Sequence, residues 1–390
     1  MKTTTSLFTL LFSILFMVHI SAQNQQSFEH KVQSKAFETE RTIRVFLPER
    51  YYRDSTSKYI VVYVLDAHDD QVWNMATGVI DYMVSRYTVI PMIAVGIASE
   101  DRGSEFNPNS NKLHQHFRED VFPLIENNYR TKPHRTIIGH SWGGAFVGNT
   151  LFSENADMFD AYLGISPSFD AIDNVIFNQA DSLLQLNNDF KKFFYYSSGT
   201  VGFEYEYKEG IAKMDSTLTF GKAKNLAWKS HVFKGKDHFS ALPAGVNDGL
   251  VQMSRNYFAD QKVIEDFAQN PNKSIKEQID LFYAEKEKIF GFTHRPSVSY
   301  LKFVADELRD KDHFKAAIEI YLLGLENEKD NVKITFNLAD TYHKMGKFDL
   351  AEPIFKSALV LLDKQKDNFS ENYYKNISAW ANKILEEYKK

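Results

Sequence analysis

The chain has 390 residues, 43% of them hydrophobic and 25% charged. These are globular values, and the length exceeds one ordinary core, so about two domains are expected. With 46 basic against 51 acidic residues the formal charge is -5, which argues against a nucleic-acid-binding protein, and the absence of cysteine excludes disulfides, thiolate metal sites and a cysteine nucleophile.

Taken in order, the chain begins with Lys2, an apolar run over residues 7–18 and the small residues Ser21-Ala22-Gln23. The run is short for a membrane span and reads as a signal peptide over residues 1–22. An exported protein, periplasmic or secreted, is therefore expected, with no membrane span once the leader is removed.

Residues 28–36 and 42–46 read as extended segments, the second alternating Ile43 and Val45 with polar neighbours. Residues 59–65 and 89–97 are nearly continuous apolar runs, as in parallel strands covered on both faces. Residues 100–111 are too rich in Gly, Ser and Asn to be regular. Residues 116–129 have helical spacing through Phe117, Val121, Leu124 and Ile125, with a kink expected at Pro123.

Next comes a strand at 136–138, then Gly139-His140-Ser141-Trp142-Gly143, then a helix from about Ala145 to Phe152. A serine on a sharp strand-to-helix turn needs small residues on both sides, and Gly139, Gly143 and Gly144 supply them. The turn lifts a hydroxyl to the tip of a sheet and points the Trp142 amide toward a developing oxyanion. Strands at 161–165, 192–196 and 228–233 follow, with helices near 180–186, 210–220 and 242–258 between or after them. This alternation predicts an α/β fold with a mostly parallel central sheet, ligands sitting at the carboxyl ends of its strands.

Beyond about residue 260 Gly and Pro thin out, and residues 266–273 read as a linker. The remainder is helical. Phe314 and Phe348, Leu308 and Tyr342, Ala317 and Ala351, Tyr321 and Phe355, and Leu325 and Leu359 all lie 34 apart. That period resembles tetratricopeptide repeats, flanked by helices at 275–290 and 373–388. The expected domains are thus 27–260 and 274–390, the second a surface for a protein partner or self-association.

A serine hydroxyl needs a base. His238 stands in a polar loop just after the last strand and is the candidate. His140 reads as support beside the serine, and His231 as a packed or edge residue. His114 and His116 lack a third ligand at metal spacing. The base needs a carboxylate, for which Glu204, Glu206, Glu209 and Asp215 all remain open. A second oxyanion amide is expected from Ala67 or His68 in Leu65-Asp66-Ala67-His68-Asp69. Arg102 could reach across the strand ends to a polar substrate group, and aromatics in 201–207 could wall a pocket. No metal or organic cofactor is called for.

These landmarks resemble the putative-esterase branch of the α/β-hydrolases, nearest its siderophore and enterochelin esterases. The likeness covers about residues 28–258 and rests on Thr42-Ile-Arg-Val-Phe-Leu-Pro48, Val61-Val-Tyr-Val-Leu-Asp66, Val95-Gly-Ile97 with Arg102, Phe122 to Arg130, the Ser141 pentapeptide, Ser166-Pro-Ser-Phe169 and His238. The resemblance implies an acyl-ester hydrolase acting on a small-molecule ester through Ser141, His238 and an acid. It favours Glu204, with Glu206 next. The family commonly has Asp-Gly where this chain has Asp66-Ala67. An acyltransferase with the same triad, or a binding protein acting through its repeats, are the alternatives.

Overall fold

The computed structural model describes residues 26–53, 55–186, 189–221, 224–270 and 272–389. The expected leader over 1–22 lies outside them. Eight strands form one sheet: β1 (Ser27–Gln33), β2 (Glu40–Phe46), β3 (Tyr59–Val64), β4 (Met92–Ile97), β5 (Thr131–His140), β6 (Ala161–Ile165), β7 (Asp189–Ser198) and β8 (Lys224–Val232). Their spatial order is β1-β2-β4-β3-β5-β6-β7-β8. Pairing is antiparallel from β1 to β2 and β2 to β4, and parallel from β4 across to β8.

Every residue of β3 and β4 is buried, which accounts for their unbroken apolar runs. Alternation still sorts the side chains. Ile60, Val62 and Val64 face one core with the helices Asp70–Ser85 and His238–Tyr257, while Val61 and Tyr63 face the other with Phe117, Phe122 and the helix Trp142–Leu151. The helix Asp70–Ser85 is not anticipated by the reading above, although its signals are present: Asp69 caps it by accepting from the Gln71 amide, and Trp73, Ala76, Ile80, Met83 and Val84 form its buried stripe.

The helix expected at 116–129 is three pieces: Lys112–His116, a π turn at Phe117–Val121, and Phe122–Asn128. Pro123 falls in the first turn of the last piece, where a missing donor breaks no internal hydrogen bond. The extra residue of the π turn thus absorbs what would otherwise be a proline kink.

The helix Gln261–Ala268, capped by Asp260, occupies part of the expected linker. Helices Ile275–Phe290, Val298–Asp310, Phe314–Asn327, Val332–Lys344, Phe348–Lys364 and Glu371–Glu387 follow. Successive pairs start 34 residues apart, 298 to 332 and 314 to 348. The join to the sheet domain is a core, not a tether. Tyr257, Phe258, Ile264, Ile279, Tyr283 and Tyr300 belong to the same apolar cluster as β3 and the helix His238–Tyr257. The Ala259 amide donates to the Tyr283 hydroxyl at 3.0 Å, and the Tyr300 hydroxyl donates to the Ala259 carbonyl at 3.2 Å.

This join buries titratable groups. His134, at the start of β5, is fully buried against Tyr257 and Phe292, and neither ring nitrogen has a partner among the described residues. Burial pushes it down to about 4, and His294, which accepts from Lys132, down to about 3. These rings bind a proton in the unfolded chain below about 6.5 but not in the fold until near their lowered values. Unfolding therefore takes up protons, and stability falls as pH drops from about 6.5 toward 4. His134→Phe removes two unsatisfied buried atoms and one such proton, so it should narrow the stability gap between pH 7.5 and pH 5 by about 2 kcal/mol. Urea unfolding at the two pH values measures it; an unchanged gap would sink the assignment.

Candidate active site

Ser141 joins β5 to the helix Trp142–Leu151 with φ 58° and ψ -117°. A non-glycine residue there is strained and persists only where its surroundings hold it. Three hydrogen bonds do so: its amide donates to the Ile165 carbonyl at 2.9 Å, and its carbonyl accepts from the Ala145 and Ser168 amides at 2.9 and 3.2 Å. A Cβ on Gly139 would lie 2.2 Å from the Gly143 carbonyl oxygen, and one on Gly144 would lie 3.0 Å from Pro167. Room for the turn and for Ser166-Pro167 packed on it thus comes from glycine.

His238 opens the helix His238–Tyr257, whose capping box pairs Asp237 with Ser240. Its Nδ1 is hydrogen-bonded to Glu204 Oε1. Glu204 is fully buried and begins the helix Glu204–Phe220. Its other oxygen accepts from the Gly199 amide and, at 3.0 Å, from the Ser166 hydroxyl. Burial alone would raise this carboxyl, but the bonds from His238, Gly199 and Ser166 outweigh it and hold the group below its ordinary value. The two loops carrying acid and base are stitched together, because the Thr200 and Val201 amides both donate to the Lys236 carbonyl, at 2.8 and 3.0 Å. A Cβ on Gly199 would sit 2.1 Å from that same oxygen.

Of the four carboxylates left open by the residues, only Glu204 meets the imidazole. Glu206, the alternative acid, is exposed on the next part of the helix, as is Glu209. Asp215 instead accepts from the Tyr196 hydroxyl at 2.6 Å.

The His238 ring is held on several sides. His140 lies 4.3 Å away, Phe203 4.8 Å and Tyr207 5.0 Å between centroids. His140 Nε2 donates to the His238 carbonyl at 3.0 Å, and burial, with His238 beside it, pushes His140 down to about 4. His140 is therefore a neutral ring beside His238. With Nδ1 engaged by Glu204, Nε2 is the His238 ring nitrogen that carries no hydrogen bond among the described residues. Among the described residues no hydrogen bond ends on the Ser141 hydroxyl; such contacts commonly tighten only around substrate.

Neither the Trp142 nor the His68 amide is engaged by an acceptor among the described residues, as oxyanion donors require. Ala67 differs from expectation: its amide donates to the Ile97 carbonyl at 3.0 Å, which removes it from the candidates. His68 Nδ1 accepts from the Ser99 amide at 3.2 Å, pinning the same loop. Arg102 stands beside the elbow with Nε and Nη2 turned inward, to Asp66 at 2.7 and 3.1 Å and to the His140 carbonyl at 3.2 Å.

The remaining histidines lie apart. His114 pairs with Thr150, and His116 with Asp120 and Ser34, all buried. His231 is half exposed near β8's end, paired with Asp248. Phe203 and Phe239 beside His238, and Trp142 next to Ser141, are exposed, and a small apolar recess beside Trp142 is lined by Phe106, Pro108, Ala145, Ala171 and Ile176. Ser166 is the participant that sequence reasoning missed. Its signal is the Ser166-Pro-Ser168 run after β6, which enters the sequence reading only as a landmark of the resemblance.

A family model described as "Putative esterase" matches residues 34–239, just over half of the chain. A comparison with curated proteins found no match. Among solved structures, the chain is similar to an IroE-like serine hydrolase from Shewanella oneidensis, with 19% identity and a TM-score of 0.60 over 77% of this chain and 99% of that one. An uncharacterised protein from Capnocytophaga ochracea shares 15% identity at a TM-score of 0.62, covering 86% of this chain and 94% of that one. A siderophore hydrolase, EstB from Aspergillus nidulans, shares 15% at 0.51, covering 60% and 96%. At these identities the likeness is one of fold.

Proposed function

Because the chain belongs to the Putative esterase family and is a carboxylic ester hydrolase, we propose that it is an exported serine esterase working through Ser141, His238 and Glu204. The observation that carries this reading is the His238–Glu204 pair, buried beside a serine held at positive φ between a strand and a helix.

In this mechanism Ser141 Oγ attacks the ester carbonyl while His238 Nε2 takes its proton. Glu204 keeps the imidazole in the tautomer that accepts there and stabilises the imidazolium. The tetrahedral oxyanion is held by the Trp142 and His68 amides. The proton then passes to the departing alkoxide, leaving an acyl-serine that water hydrolyses by the same steps in reverse order of roles. Nothing in this sequence calls for a metal.

We assign aromatic acyl esters, siderophore esters among them, as the substrate class. The support is chemical: Phe203 and Phe239 beside His238, and Trp142 next to Ser141, present exposed rings, which offer stacking to a ring and little to a short alkyl chain. Export rests on Lys2, the apolar run at 7–18 and the small residues at 21–23.

The test is turnover of a panel of p-nitrophenyl esters that share one leaving group, running from the acetate and butyrate to the ferulate and the 2,3-dihydroxybenzoate. The aromatic acyl esters are expected to exceed the short aliphatic ones in kcat/KM by about tenfold, the worth of one good ring contact. A preference for butyrate would overturn the substrate assignment while leaving the esterase.

A further inference from the structure

The ion pair beside the elbow is one end of a chain of polar contacts that runs to the buried Arg41–Glu105 pair. Asp66, in the turn that follows β3, has φ 61°, a strained conformation for a residue with a side chain. Its carboxylate lies against the elbow itself: a Cβ on Gly143 would be 3.3 Å from Asp66 Oδ2. Arg102 grips both carboxylate oxygens and also the His140 carbonyl, the residue just before Ser141. Arg102 is held in turn. Glu105, three residues on, accepts from Arg41 Nη2 at 2.8 Å on both oxygens and from the Glu100 and Asp101 amides at 3.1 and 3.3 Å. Arg41 also donates to the Ala98 carbonyl at 3.0 Å, and both Arg41 and Glu105 are buried.

The Arg102–Asp66 pair, with the arginine side chain 39% exposed, adds little net stability, so its effect is on geometry. The geometry it controls is the position of the Asp66–His68 turn relative to Ser141. From this arrangement we infer that Arg102 is a positioning residue, clamping the oxyanion loop to the nucleophile through Asp66 with Glu105 and Arg41 as its anchor, and not a ligand for substrate. A second consequence follows from charge. Asp66 sits where an unpaired carboxylate would oppose the oxyanion, and Arg102 neutralises it. The inference rests on the esterase reading above and goes beyond it.

The experiment compares the full-length protein with Arg102→Ala, Arg102→Lys and the double variant Asp66→Asn/Arg102→Ala, on neutral p-nitrophenyl acetate and by labelling of Ser141 with a fluorophosphonate. Arg102→Ala should lower kcat by about a hundredfold, as misplacement of an oxyanion donor does, with KM changed less than about threefold. Removing the stranded charge in the double variant should restore about tenfold of that loss, and labelling should follow kcat. A substrate ligand behaves otherwise: KM would rise with kcat unchanged, and Asp66→Asn would rescue nothing. Either of those results overturns the inference. Should Arg102→Ala fail to fold, Arg102→Lys carries the same comparison, since lysine keeps the charge but loses the two-pronged grip. Equal labelling of wild type and variants rejects positioning alone, whereas a wild type that takes no label rejects the esterase reading as well.

Discussion

Ser141→Ala is expected to lower kcat for an aryl ester by about five powers of ten while leaving the protein folded. A triad nucleophile removed from a working site typically has an effect of this size, and what remains is the contribution of the oxyanion hole and binding. The backbone reason for expecting intact folding is that the turn is held by main-chain groups, the Ser141 amide and carbonyl, and by Gly139 and Gly144. Alanine keeps all of these. His238→Ala should be comparably inactive, and the double variant no worse than either, because the two groups act as one unit. The measurement is kcat by stopped absorbance at nitrophenolate wavelengths beside thermal unfolding. A folded Ser141→Ala that retains a tenth of wild-type turnover would remove the nucleophile from this residue.

Glu204→Gln should reduce kcat by about a thousandfold or more, whereas Glu206→Gln should change it less than about threefold. The asymmetry follows from burial and hydrogen-bond polarity. Glu204 has one oxygen on His238 Nδ1 and the other on two donors, the Gly199 amide and the Ser166 hydroxyl. In glutamine the amide oxygen goes to those donors and the NH2 is left facing Nδ1, which forces the proton onto Nε2. An imidazole protonated there cannot accept from Ser141. Glu206 is solvent-exposed and touches none of these groups. The same residue carries a stability signature. A carboxyl held low in the fold stabilises it above the ordinary carboxylate value and loses that contribution as pH falls through the lowered one. Glu204→Gln should therefore be less sensitive to acid than wild type as pH falls below the ordinary carboxylate value, which denaturant unfolding measures. Equal losses from Glu204→Gln and Glu206→Gln would exclude Glu204 as the triad acid.

The Arg102 inference and the triad bear on different atoms of one site. The triad supplies a nucleophile and moves a proton; the clamp sets where the carbonyl oxygen meets its donors.

Much of this was written locally. The apolar runs at 59–65 and 89–97 could only be covered strands, and the glycines around Ser141 could only surround a sharp turn, because two-fold alternation, unbroken burial and missing side chains are properties of neighbouring residues. The late position of His238 after the last strand also follows from chain order. The helical pairs 34 residues apart were visible for the same reason, since each pair repeats a local pattern of small and large residues. What the sequence could not contain is which distant groups meet. Four carboxylates follow β7 within a short span, and only the contact between the Gly199 turn and the Lys236 carbonyl decides that Glu204 faces His238. Ala67 and His68 are adjacent amides, and only the Ile97 carbonyl on a neighbouring strand takes one of them out of use. Arg102 looked free because Asp66 lies 36 residues before it, and residues 266–273 looked like a tether because Tyr283 and Tyr300 lie beyond them. In each case the deciding partner comes from another strand or loop, so the choice belongs to the packing of the sheet and not to any stretch of chain.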